Sequence, residues 1–538
     1  MQKSKAAARF KHFYIFTQFM SFRIKNPENV AKIATIGIVI YLVCFGIATA
    51  FFPIRPFWND EWRLIYNIKF KTVPQLWGTL DLLQQCPRVY LTVLKKITSY
   101  FDYSYISLRL PALVITIANI FFCFYLKKKV FPQRSVYGFL FILILISSQT
   151  FTDYMVQVKQ YEMEIFMCLL ALWQLITLLE IADEGPGKKY KYALLCISFL
   201  AAPFFSYTYP IAVAPVILMV ILYTAMTSKK RLPENKTNLF TLYLPLVLVC
   251  ISIVIFYLVD VRQLMADNRM YMSYLRMLGN EKNENHFIQN FWKLFALIGS
   301  GAAFEIVFGI LGIAAFIYGI YNVAKSKIKD YTRQDYLKLY ALSLLILTLC
   351  LVLSGKLMGG VARLTAFTVP SICILIVLFL QDIKNKYHKV TLARTVAVIV
   401  FLGLFGNILS TCINTFTYPE YNNRINTYWN TSLALKQARE NNIPILITDG
   451  VRGDKINDPA PAPGKISANT ITADQVAGTD TLCAEVVLKV NPEYKTWARI
   501  PVYLMPDAKW TTEYMKQLPA EIKSAIVGDG ITFLKLDR

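Results

Sequence analysis

Two adjacent carboxylates and an arginine, Asp60, Glu61 and Arg63, follow the first long apolar segment of the chain, in the stretch Phe57-Trp58-Asn59-Asp60-Glu61-Trp62-Arg63. Charged groups are costly to hold at a membrane boundary without a use. Carboxylates are common general bases for activating a hydroxyl group, and partial burial can tune them for that task. The simpler interpretation is a solvated cluster at the interface beside an aromatic belt. The elements that position these residues help to decide between the two.

Most of the chain requires a membrane. Of its 538 residues, 55% are hydrophobic and only 17% are charged. A soluble domain cannot bury that much apolar surface, so the bilayer must serve as the solvent for much of it. About eleven apolar segments are long enough to span, or nearly so. They are 33–52, 108–126, 135–151, 163–181, 192–206, 210–227, 239–259, 303–322, 338–354, 365–381 and 395–413.

The net charge of +23 could indicate a nucleic-acid binder, but its distribution indicates membrane topology. Every second loop carries a basic cluster, which marks that loop as cytoplasmic. Nucleic acid is therefore not an expected partner. Short loops and the lack of an endoplasmic-reticulum retrieval signal favour a bacterial inner membrane, with the N-terminus inside and the C-terminus outside. The clusters are Lys3–Lys32, Lys127–Arg134, Lys188–Lys191, Lys229–Arg231, Lys325–Lys338 and Lys384–Arg394.

The same pattern divides the chain into three regions. We expect a cytoplasmic tail at 1–32, a transmembrane module at 33–413 and an extracytoplasmic domain at 414–538. The predicted fold class is an all-α polytopic membrane bundle with a small C-terminal α/β soluble domain. The module includes a first outer loop at 53–107. Within it, the pattern at 88–100 predicts an amphipathic helix that lies in the membrane interface. In the C-terminal domain, helical periodicity appears at 428–441, and strand-like runs appear at Ile443–Thr448, Glu485–Val490 and Ile531–Leu536.

This topology places one set of charged residues on the outer face, where acidic and basic groups suit the release of an anionic leaving group. Cations at helix ends can also be ordinary snorkelling residues. Glu305, near the outer end of a span, is an intramembrane acid without an assigned role. The outer set comprises Asp60, Glu61, Arg63, Arg88, Asp153, Lys159, Glu164, Lys356 and Arg363.

The order of the motifs resembles a known family. Asp60-Glu61-x-Arg63 is followed by Gln85-Cys86-Pro87-Arg88-Val89-Tyr90-Leu91 and by Ser107-Leu108-Arg109-Leu110-Pro111. This resembles the first loop of the GT-C glycosyltransferases, on the branch of protein O-mannosyltransferases and lipid A aminoarabinose transferases. That loop reads Asp-Glu-x-Arg, then His-Pro-Pro-x-Tyr, then Leu-Arg-Leu-Pro. Gln85-Cys86-Pro87 stands where the family has His-Pro-Pro, so no role tied to that histidine carries over.

Three later segments agree with the resemblance, which covers about residues 50–450. Tyr154–Phe166 looks like the second outer loop, with Lys159, Tyr161 and Glu164 in its basic, tyrosine and acidic positions. Ser206-Tyr207 matches a Ser-Tyr turn, and Lys356 through Arg363 and Pro370 resembles a Gly-x-Arg segment before a late span.

The resemblance implies a GT-C-type bundle that transfers a sugar, with inversion, from a polyprenyl-phosphate donor. The acceptor would be a glycolipid, a polysaccharide or a protein at the outer face. Asp60 is the expected base, while Glu61 either assists it or is structural. Tyr161 belongs to the substrate-binding set, and Glu164 would orient a cation or a sugar hydroxyl. Lys159, Lys356 and Arg363 would bind phosphate, and Arg63 and Arg88 would hold either phosphate or Asp60.

No Asp-x-Asp motif occurs in the first loop, so a divalent metal is possible but not indicated, and no other cofactor is expected. The main alternative is a transporter or flippase of a lipid-linked substrate. That class places polar groups near the bilayer midplane in broken helices, whereas the charges here crowd the outer ends of the spans. A structural membrane protein with an exported domain is a third alternative, and it leaves the Asp60 cluster unexplained.

Overall fold

The computed structural model describes residues 27–51, 59–80, 84–101, 103–132, 135–185, 187, 189–231, 236–263, 285–299, 301–326, 331–354, 356–357, 361–386 and 402–410, together with six strands beyond residue 444. The helices in chain order are α1 Pro27–Phe51, α2 Asn59–Phe70, α3 Val73–Leu76, α4 Arg88–Tyr100, α5 Tyr105–Val130, α6 Ser135–Ile146, α7 Gln149–Tyr154, α8 Tyr161–Glu184, α9 Lys189–Ala201, α10 Tyr209–Arg231, α11 Lys236–Phe256, α12 Asn285–Ala296, α13 Gly301–Lys325, α14 Arg333–Leu353, α15 Ala362–Thr365, α16 Val369–Lys386 and α17 402–410.

The chain is a multi-pass membrane protein. Among the described residues, eight helices are long and apolar enough to cross a membrane. They are Glu28–Phe51, Ile106–Val130, Tyr161–Glu184, Tyr209–Met226, Phe240–Val261, Ala303–Lys325, Arg333–Leu353 and Ala362–Asn385. The other predicted segments contain shorter helices, namely α6, α9 and α17. A helix therefore lies within each of the eleven predicted segments, and α1 begins a few residues before the predicted boundary at 33.

Helix α8 lies at the centre of the bundle. It packs against α5, α10 and α11 and against the 3₁₀ turn Ala366–Thr368. Most of its apolar side chains are buried, while helices such as α5 and α11 expose Phe121 and Phe240 on their outer sides. A helix that is apolar on all sides and partly uncovered is expected where lipid replaces water.

The first loop folds as a small layer of its own on one end of the bundle. Leu64, Ile65 and Ile68 of α2 pack with Leu91 and Leu94 of α4. The predicted amphipathic helix at 88–100 is confirmed, since α4 spans Arg88–Tyr100. Its second apolar edge, with Val93 and Ile97, is exposed, as expected for a helix at a membrane surface.

The C-terminal region contains antiparallel strands: β1 Ile445–Asp449, β2 Ser467–Ile471, β3 Val486–Leu488, β4 Ala498–Ile500, β5 Ile522–Gly528 and β6 Ile531–Leu536. The first four form one sheet in the order β2-β1-β3-β4, and β5 pairs with β6. The three predicted strands correspond to β1, β3 and β6. The helix predicted at 428–441 lies outside the described residues.

The end of the bundle opposite the first loop gathers the predicted cytoplasmic clusters. Arg333, at the start of α14, lies 3.0 Å from Asp183 and 3.7 Å from Glu180 at the end of α8, and Lys129 of α5 lies 2.6 Å from the same Glu180. Lys338 lies 3.2 Å from Asp382 of α16, which also accepts a hydrogen bond from Asn322 at 3.0 Å. Loops predicted to share one membrane side therefore meet.

We expect the Lys338–Asp382 pair to stabilise the fold, because its side chains are only 8% and 16% exposed. Lys338→Met leaves a nearly buried carboxylate without this cation and should lower the free energy of unfolding by about 2–3 kcal/mol. The double variant, with Asp382→Asn added, also removes the negative charge and should recover most of the lost free energy of unfolding. The measurement is the unfolding midpoint in detergent, followed by tryptophan fluorescence.

Arg333→Gln is the matched control, because Arg333 is 37% exposed and its ion pairs should be worth under about 1 kcal/mol. Equal midpoints for Lys338→Met and the double variant would show that the two charges are not coupled.

Candidate functional site

Glu61 is buried in an ion pair that joins three parts of the chain. The residue is 2% exposed, and its Oε1 accepts a hydrogen bond from the Val158 backbone N–H at 2.8 Å. The same oxygen lies 3.3 Å from the guanidinium of Arg109 on α5, which also donates to the Val156 carbonyl at 2.8 Å. Because the carboxylate is engaged from two sides, these contacts favour the structural role among the two predicted for Glu61.

Asp60 and Arg63 lie in the same helix, α2, which begins at Asn59. Their side chains lie outside the described residues, so their predicted roles, as base and as phosphate or Asp60 ligand, stay predictions. The helix that carries them is nevertheless fixed, since Glu61 fastens its first turn to Arg109 and to the backbone of Val158.

Arg88 pairs with an acid that the sequence did not assign, Asp260. The Asp260 carboxylate accepts a hydrogen bond from the Arg88 backbone N–H at 2.8 Å, and its other oxygen lies 3.8 Å from the guanidinium Nε. Arg88 is the first residue of α4, so Asp260 binds an otherwise unsatisfied N–H at a helix N-terminus. Tyr207 donates to the same carboxylate at 2.8 Å. Arg88 is therefore committed to holding α4 in place.

Lys159 and Glu164 are also buried beside the first loop. The Lys159 ammonium donates to the side-chain carbonyl of Gln84, and its backbone carbonyl accepts from the Tyr90 hydroxyl at 3.3 Å. Glu164 accepts hydrogen bonds from the hydroxyls of Ser206 and Thr208. The predicted Ser-Tyr turn therefore contacts the predicted acidic position directly. Whether either side chain also meets substrate stays a prediction.

Arg88, Lys159, Glu164 and Asp260 form what we call the first-loop charge cluster, two cations and two anions around Cys86. Burial is the main cause that raises the pKa of the Cys86 thiol, to about 12. Burial also raises the pKa of the Tyr207 hydroxyl, and the Asp260 charge adds to this. At neutral pH the thiol therefore stays protonated and the tyrosine stays a hydrogen-bond donor. The sequence favours free thiols at Cys86 and Cys483 over a disulfide between them. Cys86 is a free thiol in the structure, and Cys483 lies outside the described residues.

A cavity of about 220 Å³ opens at the same end of the bundle. One wall is α7, with Gln149, Thr150, Asp153 and Tyr154, and the others come from α12, the start of α13 and Ala362. The charged lining residues are Asp153, Lys293 and Glu305.

The cavity lies beside several predicted ligands. Tyr161 packs its ring on that of Tyr154, with 4.7 Å between centroids. Arg363 follows the lining residue Ala362 in α15. Lys356 lies just beyond the end of α14 and is not one of the lining residues. The segment from Tyr154 to Val158 links this cavity to the Glu61–Arg109 pair.

Sequence reasoning missed Arg109, Asp260 and Lys293 as members of this region. An ionisable residue within or at the end of an apolar span is itself a signal, and it could have identified Arg109 and Asp260. That signal does not mark Lys293, because it lies in a stretch without a long apolar run. Among the described residues, no group of three or more His, Cys, Asp or Glu side chains could hold a metal ion.

The solved structures that are similar to this chain include two crystal structures of ArnT from Cupriavidus metallidurans. The apo form shares 14% sequence identity with a TM-score of 0.41 and covers 75% of this chain and 70% of that chain. The form bound to undecaprenyl phosphate shares 13% identity with a TM-score of 0.43 and covers 74% of this chain and 69% of that chain. No protein-family model matches the sequence. No curated protein matches it either.

Proposed function

We propose that the protein is a membrane glycosyltransferase that moves a sugar from a polyprenyl-phosphate donor to an acceptor at the outer face. The observation that carries the proposal is the packing of the first loop. Its helix α2, which bears Asp60, is held by Arg109 and Val158. The segment from Tyr154 to Val158 connects this contact to the wall of the cavity. The helix that bears the candidate base and the cavity therefore lie at the same end of an apolar bundle, which supports the proposal.

In the proposed reaction the acceptor hydroxyl attacks the anomeric carbon of the sugar. The bond from that carbon to the phosphate oxygen breaks, and its electron pair leaves with the lipid phosphate. Asp60 takes the hydroxyl proton, and attack opposite the leaving group inverts the anomeric centre. Arg363 and Lys356 stabilise the charge that grows on the phosphate, because cations act more strongly in a partly dry site than in water.

The N-terminus and the basic end of the bundle would face the cytoplasm in a bacterial inner membrane, with the first loop and the C-terminal domain outside. The acceptor class, whether glycolipid, polysaccharide or protein, would be identified by mass spectrometry of envelope glycans and glycoproteins from a deletion strain.

The orientation predicts how introduced cysteines react in intact cells. Lys96→Cys, on the exposed side of α4, should be labelled by a membrane-impermeant maleimide. Glu184→Cys, at a side chain that is 76% exposed at the opposite end, should be labelled only after permeabilisation. The unsubstituted protein gives the background from native cysteines. The reverse pattern would place the site on the cytoplasmic side.

Asp60→Asn should insert and express normally yet lose on the order of 10²–10⁴ in turnover, the usual range for losing a general base. The measurement is the amount of transferred sugar in a deletion strain that carries each variant, normalised to folded protein. A smaller loss would indicate an acceptor that is already ionised, such as a phosphate, and needs orientation more than deprotonation.

Glu61→Gln is the matched control at the neighbouring position. This change removes the negative charge beside the buried Arg109 guanidinium, so it should lower the unfolding midpoint. Activity should fall only in proportion to the amount of folded protein. More than about half of normal turnover in folded Asp60→Asn, against the loss expected for a base, would remove Asp60 from the mechanism.

Binding of undecaprenyl phosphate without a sugar tests the phosphate ligands separately. Arg363→Ala should weaken binding to the purified protein in nanodiscs by roughly 30-fold, because one charge-assisted contact is worth about 2 kcal/mol. Arg363→Lys should recover only part of this loss, since lysine cannot make the forked contact. Lys96→Ala removes an exposed cation and should change affinity by no more than about twofold. Unchanged affinity in Arg363→Ala would refute the assignment.

A further inference from the structure

Lys127, in the last turn of α5, is held in place by aromatic rings. Its ammonium lies 3.2 Å from the centre of the Phe139 ring and 5.4 Å from the centre of the Phe124 ring, and such faces attract a cation. Helix α6 approaches closely here, since a Cβ on Gly138 would lie 3.0 Å from the Lys127 Cβ. No oxygen of the described residues accepts a hydrogen bond from this ammonium. The rings therefore fix its position and leave its N–H donors for another partner.

Two more lysines lie at the same level of the bundle. Lys128 is the next residue of α5, and α1, which packs against α5 and α6, contributes Lys32. The contact between α1 and α5 is close, since a Cβ on Gly46 would lie 2.7 Å from the Leu113 side chain. The two helices run in opposite directions, and as many residues separate Gly46 from Lys32 as separate Leu113 from Lys127. The ends of α1 and α5 therefore bring Lys32 beside Lys127.

We call Lys32, Lys127 and Lys128 the lysine patch. The charged groups that act on Lys127 from its surroundings are Lys128, Lys32 and one acid, Glu28 of α1. Lys32 and Lys128 are exposed, and no carboxylate of the described residues lies within ion-pair distance of either. Three cations therefore face one acid, and the patch is positively charged.

Apolar side chains continue the faces of Lys32 and Lys128 toward the middle of each span, at helical spacing. They are exposed on the outside of the bundle, where lipid replaces water. A cationic patch at the boundary above an apolar face matches a phospholipid, which carries a phosphate above its acyl chains. A soluble phosphate would use the lysines alone. The apolar residues are Ile36 and Ile40 of α1 and Phe121 and Tyr125 of α5, which are between 42% and 70% exposed.

We propose that the lysine patch binds the headgroup of an anionic phospholipid, whose acyl chains lie along the exposed apolar faces of α1 and α5. The headgroup phosphate accepts hydrogen bonds from Lys127 and Lys128 on α5, while Lys32 holds it from α1. The lipid thereby joins the first span to α5. A zwitterionic headgroup carries a cation of its own, which the lysines repel, so it binds more weakly. This site lies at the end of the bundle opposite the first loop and does not depend on the proposed function.

The test titrates the purified full-length protein in detergent with phosphatidylglycerol or phosphatidylcholine of the same acyl chains, and native mass spectrometry counts the bound lipids. Phosphatidylglycerol should bind at least about tenfold more tightly than phosphatidylcholine. Lys127→Gln and Lys128→Gln should each weaken phosphatidylglycerol binding about fivefold, and the double variant roughly 30-fold, with phosphatidylcholine binding unchanged. Phosphatidylglycerol should also raise the unfolding midpoint of the intact protein more than that of the double variant, because a ligand stabilises the state that binds it.

Lys129→Gln is the matched control, because it removes the same charge from the next position of the run. The Lys129 ammonium already lies 2.6 Å from Glu180, so this change should alter phosphatidylglycerol affinity by no more than about twofold. Unfolding midpoints without lipid show that each variant is folded, and Lys128→Gln, at an exposed side chain, tests the site even if Lys127→Gln does not fold.

Equal binding of the two lipids by the intact protein would overturn the proposal. Equal weakening of phosphatidylglycerol binding by Lys128→Gln and Lys129→Gln would also overturn it, because the effect would then follow net charge and not the lysine patch. Soluble glycerol phosphate should displace phosphatidylglycerol only weakly. Displacement by glycerol phosphate at concentrations similar to those of the lipid would show a site for a free anion and refute the lipid assignment.

Discussion

The buried ion pair between Glu61 and Arg109 is the constraint on which the arrangement of this region depends. Taking two charges out of water is expensive, and a pair is retained only where its geometry is good and its remaining atoms find partners. Here the Val158 N–H donates to Glu61 and the Val156 carbonyl accepts from Arg109, at 2.8 Å each. The Glu61 carboxylate thus contacts both α5 and the segment at Val158. These two contacts fix the position of α2 against the bundle.

The first-loop charge cluster is also held by contacts within the protein. These contacts limit which cations are left to bind a substrate. Asp260 holds both the backbone and the guanidinium of Arg88, so that arginine fixes the start of α4. Because each charged group of the cluster has a hydrogen-bond partner, a phosphate entering there would have to displace an existing contact.

Sequence patterns predicted the features that depend on neighbouring residues. Hydropathy located the spans, and amphipathic periodicity located α4. Alternating basic clusters sorted the loops into two groups, and members of the basic group meet at one end of the bundle. The pairing of Arg88 with Asp260 joins residues 172 positions apart, and no local pattern encodes such a contact. The cavity was missed for the same reason, since its walls come from four separate helices, and α12 lacks the long apolar run that marks a span.

At the first-loop end of the bundle, the charged residues differ in whether they have partners within the protein. Glu61, Arg88 and Glu164 have protein partners that account for their burial, so their cost is offset within the fold. Glu305 and Lys293 line the cavity, and the described residues offer them no partner. This division places Glu61, Arg88 and Glu164, three of the predicted site residues, in the framework of the region.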